Sequence, residues 1–287
     1  MSGESPRNSA AGQAPGSRLD PHPGSLSGSR PEGFGVLIIG DELLSGKRQD
    51  RHLPRVIELL AARGLELAWA RMEGDDPGRI TRALRQTMAG NDVVFSFGGI
   101  GATPDDRTRQ CAGAAAGLEL DFHPEGLREL DARFGAEVTP HRRRMVEFPV
   151  GAQLIPNPVN RVPGFSLGHH HFVPGFPNMA WPMVEWVLDQ RYAHLHAVGV
   201  SQERAITVWK ARESDLTPML EDFTGRYPEL RLSCLPRWAP PEFELELGLR
   251  GPVARVDAVM LELQQAVGAQ GFDWEEKPLL AGKDTPS

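Results

Sequence analysis

Cysteine is nearly absent: Cys111 and Cys234 are the only two in 287 residues, and they lie far apart without a CxxC or Cys/His spacing. Neither a disulfide framework nor a structural zinc site is supported. Long apolar stretches are missing too. No run approaches the roughly 18 apolar residues of a membrane span, and the N-terminus lacks the apolar segment of a secretory signal, so a cytoplasmic protein without membrane contact is expected. Positive charge is also in deficit, with Lys+Arg 31 against Asp+Glu 38 and a net charge of -7. That balance, with no aromatic-basic stripe, argues against nucleic acid as a partner. It does not exclude a small anion, which local backbone amides can hold. The chain does have 40% hydrophobic and 24% charged residues, enough for one or two globular domains.

Residues 1–33 carry 7 Ser, 6 Gly and 5 Pro with almost no large apolar side chain, and read as a disordered tail. Order begins at Phe34–Ile39, a continuous apolar run suited to a strand buried on both faces. Leu53, Val56, Ile57 and Leu60 then fall on one helical face that Gly64 ends. A strand follows over 66–72, and Asp76-Pro77 reads as an N-cap with Pro at the first helical position. Asp92–Phe97 supplies a third strand. Alternating strands and helices with short connections predict a doubly wound, mostly parallel sheet of the α/β class. Between Arg128 and Pro182 eight prolines predict loops and short strands, and Trp181–Arg191 reads as the helix that closes a domain over 34–196.

A second, smaller α+β domain of β-α-β-β-α order is expected over 197–271. Ala205–Val208 reads as a strand, and Leu216, Met219, Leu220 and Phe223 as a helix. Phe243, Leu245, Leu247 and Leu249 alternate with polar or glycine positions, as in an antiparallel strand with one wet face, and Leu230, Leu232 and Cys234 mark its partner. Val253–Val267 forms the last helix, and 272–287 reads as a fraying tail.

The chemistry concentrates in Phe97-Gly-Gly-Ile-Gly-Ala-Thr-Pro-Asp-Asp106, at the carboxyl end of a buried parallel strand, where open α/β sheets bind ligands. Gly98, Gly99 and Gly101 let backbone N–H groups approach an anion, and the following helix would aim its positive end there. The pattern is neither G-x-G-x-x-G nor a Walker loop, and a Gly-rich turn is equally a structural device. Acidic residues follow three strand ends: Asp41 and Glu42, Asp75 and Asp76, Asp105 and Asp106. They are candidates to hold Mg²⁺ with waters and ligand phosphates or to act as a general base; capping of helices is the plainer alternative for Asp76 and for one of Asp105 and Asp106.

Gly40-Asp-Glu-Leu-Leu-Ser-Gly46, Glu73-Gly-Asp-Asp-Pro77, Gly98-Gly-Ile-Gly-Ala-Thr-Pro-Asp-Asp106 and Val173-Pro-Gly-Phe-Pro177 together resemble the MoaB/Mog-type molybdopterin-binding domain, in its CinA-like (competence/damage-inducible protein) branch. The resemblance runs from about Phe34 to Arg191. It implies binding of a pterin or nucleotide phosphate, with Gly98, Gly99, Gly101 and Thr103 on the phosphate, Asp41 and Ser45 as further ligand contacts, and Asp75, Asp105 and Asp106 as catalytic or metal groups. Implied activities are hydrolysis of a nucleotide pyrophosphate such as ADP-ribose or FAD with Mg²⁺, Mn²⁺ or Co²⁺, or else adenylylation of molybdopterin in molybdenum cofactor biosynthesis; a non-catalytic binding protein is the third reading. A homo-oligomer, dimer or trimer, is implied as well. Without the C-terminal amidase domain of full-length relatives, no deamidase activity is expected.

Departures stand at Ala102 in place of Pro, at Arg107 in place of an aliphatic residue, at Asp50-Arg-His52, where relatives carry an Asn, and at Asn160-Arg-Val-Pro-Gly164, where Arg161 would either pair with a phosphate or block it. Outside the resemblance, Arg142–Arg144 reads as a solvated basic run. His169–His171 could place at most two imidazoles on one ion if they lie on a strand. Cys111 reads as a core residue.

Overall fold

The computed structural model describes residues 31–197, 199–239 and 242–277. Of the tails expected over 1–33 and 272–287, residues 1–30 and 278–287 lie outside them. The chain enters as β1 (Phe34–Ile39), with all six positions buried, as its unbroken apolar run requires. A four-residue helix α1 (Asp41–Leu44) leads to α2 (His52–Ala61), whose first N–H groups, those of His52 and Leu53, donate to the Asp50 carboxylate. The buried stripe of α2 is His52, Val56, Leu59 and Leu60. Ile57, expected inside, is 48% exposed, and Leu59 packs in the core beside Val56 and Leu60 instead.

β2 (Leu67–Glu73) precedes α3 (Pro77–Met88), which is capped as expected by Asp76 accepting the Arg79 N–H at 2.7 Å. β3 (Val93–Phe97) is buried throughout, and α4 (Thr108–Ala116) ends at Gly117 in the left-handed region. The proline-rich middle holds β4 (Leu120–Phe122), α5 (Pro124–Phe134), α6 (Pro140–Arg143), β5 (Glu147–Pro149), β6 (Gln153–Ile155), β7 (Gly164–Leu167) and β8 (His170–Val173). Its short strands match the expectation. The eleven residues of α5 do not; Pro124 sits in the first turn, where its missing N–H costs nothing. α7 (Pro177–Arg191) begins four residues before the expected start, again on a proline.

Strand order in the main sheet is β2-β1-β3-β8-β7-β6. The first four strands are parallel, and β7 runs antiparallel between β8 and β6. Separate apolar cores cover the two faces, one with α2 and α7, the other with α3, α4 and α5. This is the doubly wound, mostly parallel architecture expected. Its geometry brings the loops after β1, β2, β3 and β8 to one edge.

The smaller domain comprises β9 (Ser201–Trp209), α8 (Glu213–Arg226), β10 (Arg231–Ala239), β11 (Glu242–Pro252), α9 (Val253–Ala269) and β12 (Trp274–Glu276). Its antiparallel sheet, ordered β10-β11-β9-β12, packs one face on α8 and α9. Leu245, Leu247 and Leu249 point inward as the alternation requires, but Phe243 is 44% exposed and rests edge-on against Trp238. Trp274–Glu276 fall within the fraying tail expected over 272–287. They instead pair with β9, which leaves a hydrogen-bonding edge that β12 satisfies.

Candidate functional site

The loop after β3 doubles back because two glycines adopt left-handed backbone angles. Gly98 has φ 96° and Gly99 φ 69°; a Cβ on Gly98 would sit 2.4 Å from the Ile39 carbonyl oxygen, and one on Gly99 2.2 Å from Thr108 Oγ1. Any side chain would therefore push the loop off the sheet and off α4. The first turn of α4 grips this loop by its carbonyls. Thr108 Oγ1 donates to the Gly98 carbonyl at 3.0 Å, the Thr108 N–H to the Gly99 carbonyl at 2.9 Å, and Arg109 Nη2 to the Gly101 carbonyl at 2.6 Å. The expectation that α4 aims its N-terminus directly at the anion is thus modified, since its first N–H is committed to the loop.

The candidate carboxylates divide into three kinds. Asp106 is turned into the loop, where its Oδ2 accepts the Thr103 N–H at 2.9 Å and the Thr103 hydroxyl at 2.5 Å. This closes a tight turn and commits both Thr103 donors, so Thr103 offers neither to a phosphate in this arrangement. Asp41 and Asp75 lock two loops together: the Asp41 N–H donates to Asp75 Oδ2 at 2.9 Å and the Asp75 N–H to Asp41 Oδ1 at 3.1 Å. Burial pushes the Asp75 carboxyl above its usual pKa, assisted by the charges of Asp41, Glu42 and Asp105. Exposed Asp105 instead lies below the usual range, lowered by the nearby Thr103 hydroxyl and its own backbone N–H. Buried Glu73 takes no part in this exchange. Burial opposes its ionisation, but Arg79 and Arg71 hydrogen bonds outweigh that and keep its pKa low.

These loops line a cleft of about 450 Å³. Asp75, Asp105, Asp106 and residues 98–103 line it together with the largely apolar Met145, Asn160, Val162, Pro163, Phe176 and Met179. Asp41 and Ser45 do not line it, because α1 turns them outward; Glu42 and Arg48, from the same loop, do. Arg48 also lines an adjoining cavity of about 420 Å³ with Asp50 and His52. His52 stacks on Phe97 at 4.3 Å and contacts the Gly175 carbonyl through Nε2 at 3.1 Å, and burial lowers its pKa. Among the described residues no three His, Cys, Asp or Glu side chains stand close enough to hold a metal between them. The carboxylates that line the cleft, Glu42, Asp75, Asp105 and Asp106, are therefore not a closed metal cage; oxygen donors of this kind suit a hydrated Mg²⁺ that shares ligand phosphates.

The remaining candidates settle elsewhere. Arg161 pairs with Glu129 at 2.9 Å and neither reaches nor blocks the cleft. Arg142 lies over the Phe134 ring and binds Glu137. His171 joins Ser166 to Tyr192, His169 meets the same Tyr192 hydroxyl, and His170 meets Thr87. Burial holds all three imidazoles neutral by lowering their pKa values. Cys111 is a core residue whose thiol burial pushes up. Sequence reasoning missed Arg48 and Arg109. An isolated Arg in a polar stretch or helix reads as surface, and only the fold shows Arg109 to be 2% exposed.

A family model described as a probable molybdopterin binding domain matches residues 35–194. A CinA-like protein of Geobacter metallireducens is 34% identical over 210 residues, covering 69% of this chain and 50% of that one. Another from Anaeromyxobacter sp. is 31% identical over 227 residues, covering 72% and 54%. The crystal structure of a protein CinA with unknown function from Thermoplasma acidophilum is similar at a TM-score of 0.51 and 25% identity, covering 55% of this chain and 98% of that one. The chain spans about half the length of these curated relatives. No helix among the described residues is long and apolar enough to cross a membrane.

Proposed function

Since the chain belongs to the CinA-like family of proteins with a molybdopterin-binding domain, we propose that its loop-edge cleft binds the pyrophosphate of a nucleotide such as ADP-ribose or FAD and hydrolyses it with a divalent metal. The observation that carries this reading is that the Gly99, Ile100 and Ala102 N–H groups, which have no acceptor among the described residues, lie in one cleft with Asp75 and Asp105. The amides would bind phosphate oxygens, and Arg48 would add a bidentate cation. Phe176, 57% exposed at the cleft, offers a flat apolar surface to an adenine, flavin or pterin ring.

Asp75 and Asp105 would hold the metal, which when bound would polarise a phosphoryl oxygen and activate water. Asp106 would act by fixing the loop.

The test is product release from ADP-ribose and FAD with Mg²⁺, Mn²⁺ or Co²⁺, compared with Asp105→Asn. Metal-dependent turnover lost in the variant supports hydrolysis. Absence of turnover with either substrate sinks it, and AMP transfer to supplied molybdopterin would replace it with adenylylation.

A further inference from the structure

Arg109 is among the largest fully buried side chains, and its guanidinium is barely partnered. Nη2 donates to the Gly101 carbonyl at 2.6 Å, while Nε and Nη1 are buried without a hydrogen-bond partner. No carboxylate forms an ion pair with it among the described residues, although Asp106 and Glu147 act on it through space. A buried guanidinium left so exposed to its own desolvation is costly and persists only where the surrounding structure uses it. Its use is visible in the peptide geometry. In a trans peptide the C=O of one residue and the N–H of the next point in opposite directions.

Three loop carbonyls are drawn toward α4: Gly98 and Gly99 by Thr108, Gly101 by Arg109. The N–H groups of Gly99, Ile100 and Ala102 must therefore face away from α4. Thr108 and Arg109 do not line the cleft, whereas residues 98–103 do, so the loop lies between α4 and the cleft and these N–H groups face the cleft. None of the three donates to an acceptor among the described residues. We infer that Arg109 is a positioning residue for anion binding: by holding the Gly101 carbonyl it aims the Ala102 N–H at a ligand phosphate, and its unpaired charge behind the loop is balanced by that phosphate. Thr108 does the same for the Gly99 and Ile100 amides. The inference rests on the phosphate reading of the cleft.

The test follows backbone amide resonances of the full chain during titration with inorganic pyrophosphate. In the wild-type protein the Gly99, Ile100 and Ala102 signals shift. In Arg109→Met the Ala102 response disappears while those of Gly99 and Ile100 remain, and affinity falls about 10- to 100-fold, the worth of a hydrogen bond to a charged group. Arg109→Lys, which keeps one donor and the charge, recovers part of the Ala102 response. If Arg109→Met does not fold, Thr108→Val reads the same geometry through the side chain, with the Gly99 response lost and that of Ala102 kept. An Ala102 response that persists in Arg109→Met, or a uniform loss across all three amides in Thr108→Val, overturns the assignment and leaves the phosphate reading standing. Silence of every loop amide in the wild-type protein overturns both.

Discussion

The smaller domain and the loop edge of the larger one handle charge in opposite ways. In the smaller domain arginines find carboxylates: Arg204 meets Asp257 and Glu276, Arg226 meets Asp222 and Glu262, and Arg255 meets Glu229. At the loop edge of the larger one, Arg109 is buried unpaired, acidic groups crowd together until Asp75 is pushed up, and glycines take left-handed angles. Interactions left incomplete in a folded protein mark where a ligand completes them. Among the described residues of the smaller domain no buried side-chain polar atom lacks a partner, although Lys210 takes a left-handed angle, and its sequence describes a self-consistent antiparallel sandwich.

The contrast is most severely tested at Gly98. Gly98→Val places a Cβ against the Ile39 carbonyl oxygen and should abolish detectable pyrophosphate binding in calorimetry; retained affinity would mean that the loop is not the site. Next in size is Leu247→Ala on β11, fully buried, which should cost about 2–5 kcal/mol in chemical unfolding without altering cleft affinity in the protein that remains folded. Affinity falling alongside stability would show that the domains are not separable in function.

Acid reaches the larger domain through its histidines. His170 is pulled to about 4 from an ordinary 6.5, and His169 and His171 are lowered too. The unfolded chain takes up these protons first, so the stability they represent is complete above pH 6.5 and is lost as pH falls toward 4. Its share from His170 is about 3 kcal/mol. Thermal melts between pH 7 and 5 should show the decline, and His170→Gln should flatten it; an unchanged slope would place the acid sensitivity elsewhere. The smallest effect separates two adjacent carboxylates. Asp76→Ala, losing a helix cap, should cost about 1 kcal/mol and leave turnover alone, whereas Asp75→Asn should impair metal-dependent turnover with little change in stability.

The sheet and the loop edge that carries the candidate cleft were legible because both follow from periodicity and from where parallel strands end. Phe34–Ile39 and Asp92–Phe97 read as doubly buried strands from their runs alone, and the Asp76-Pro77 cap folded as written. What a single residue does at the site was not legible. Asp105 and Asp106 look equivalent in sequence, yet one side chain is exposed beside the cleft and the other is consumed by Thr103, a choice made by loop closure over three residues. Asp41 and Glu42 exchange roles because a four-residue helix rotates one out and the next in. Arg109 acquires its meaning only from packing that brings α4 beneath the glycine loop, and Trp274–Glu276 only from the free edge of β9.

The most direct measurement is a crystal structure with Mg²⁺ and an ADP-ribose analogue whose bridging pyrophosphate oxygen is replaced by methylene. The account predicts phosphate oxygens on the N–H groups of Gly99, Ile100 and Ala102, with the metal between them and Asp75 and Asp105. An analogue bound elsewhere, or bound in the cleft with its phosphates away from the glycine loop, would contradict it.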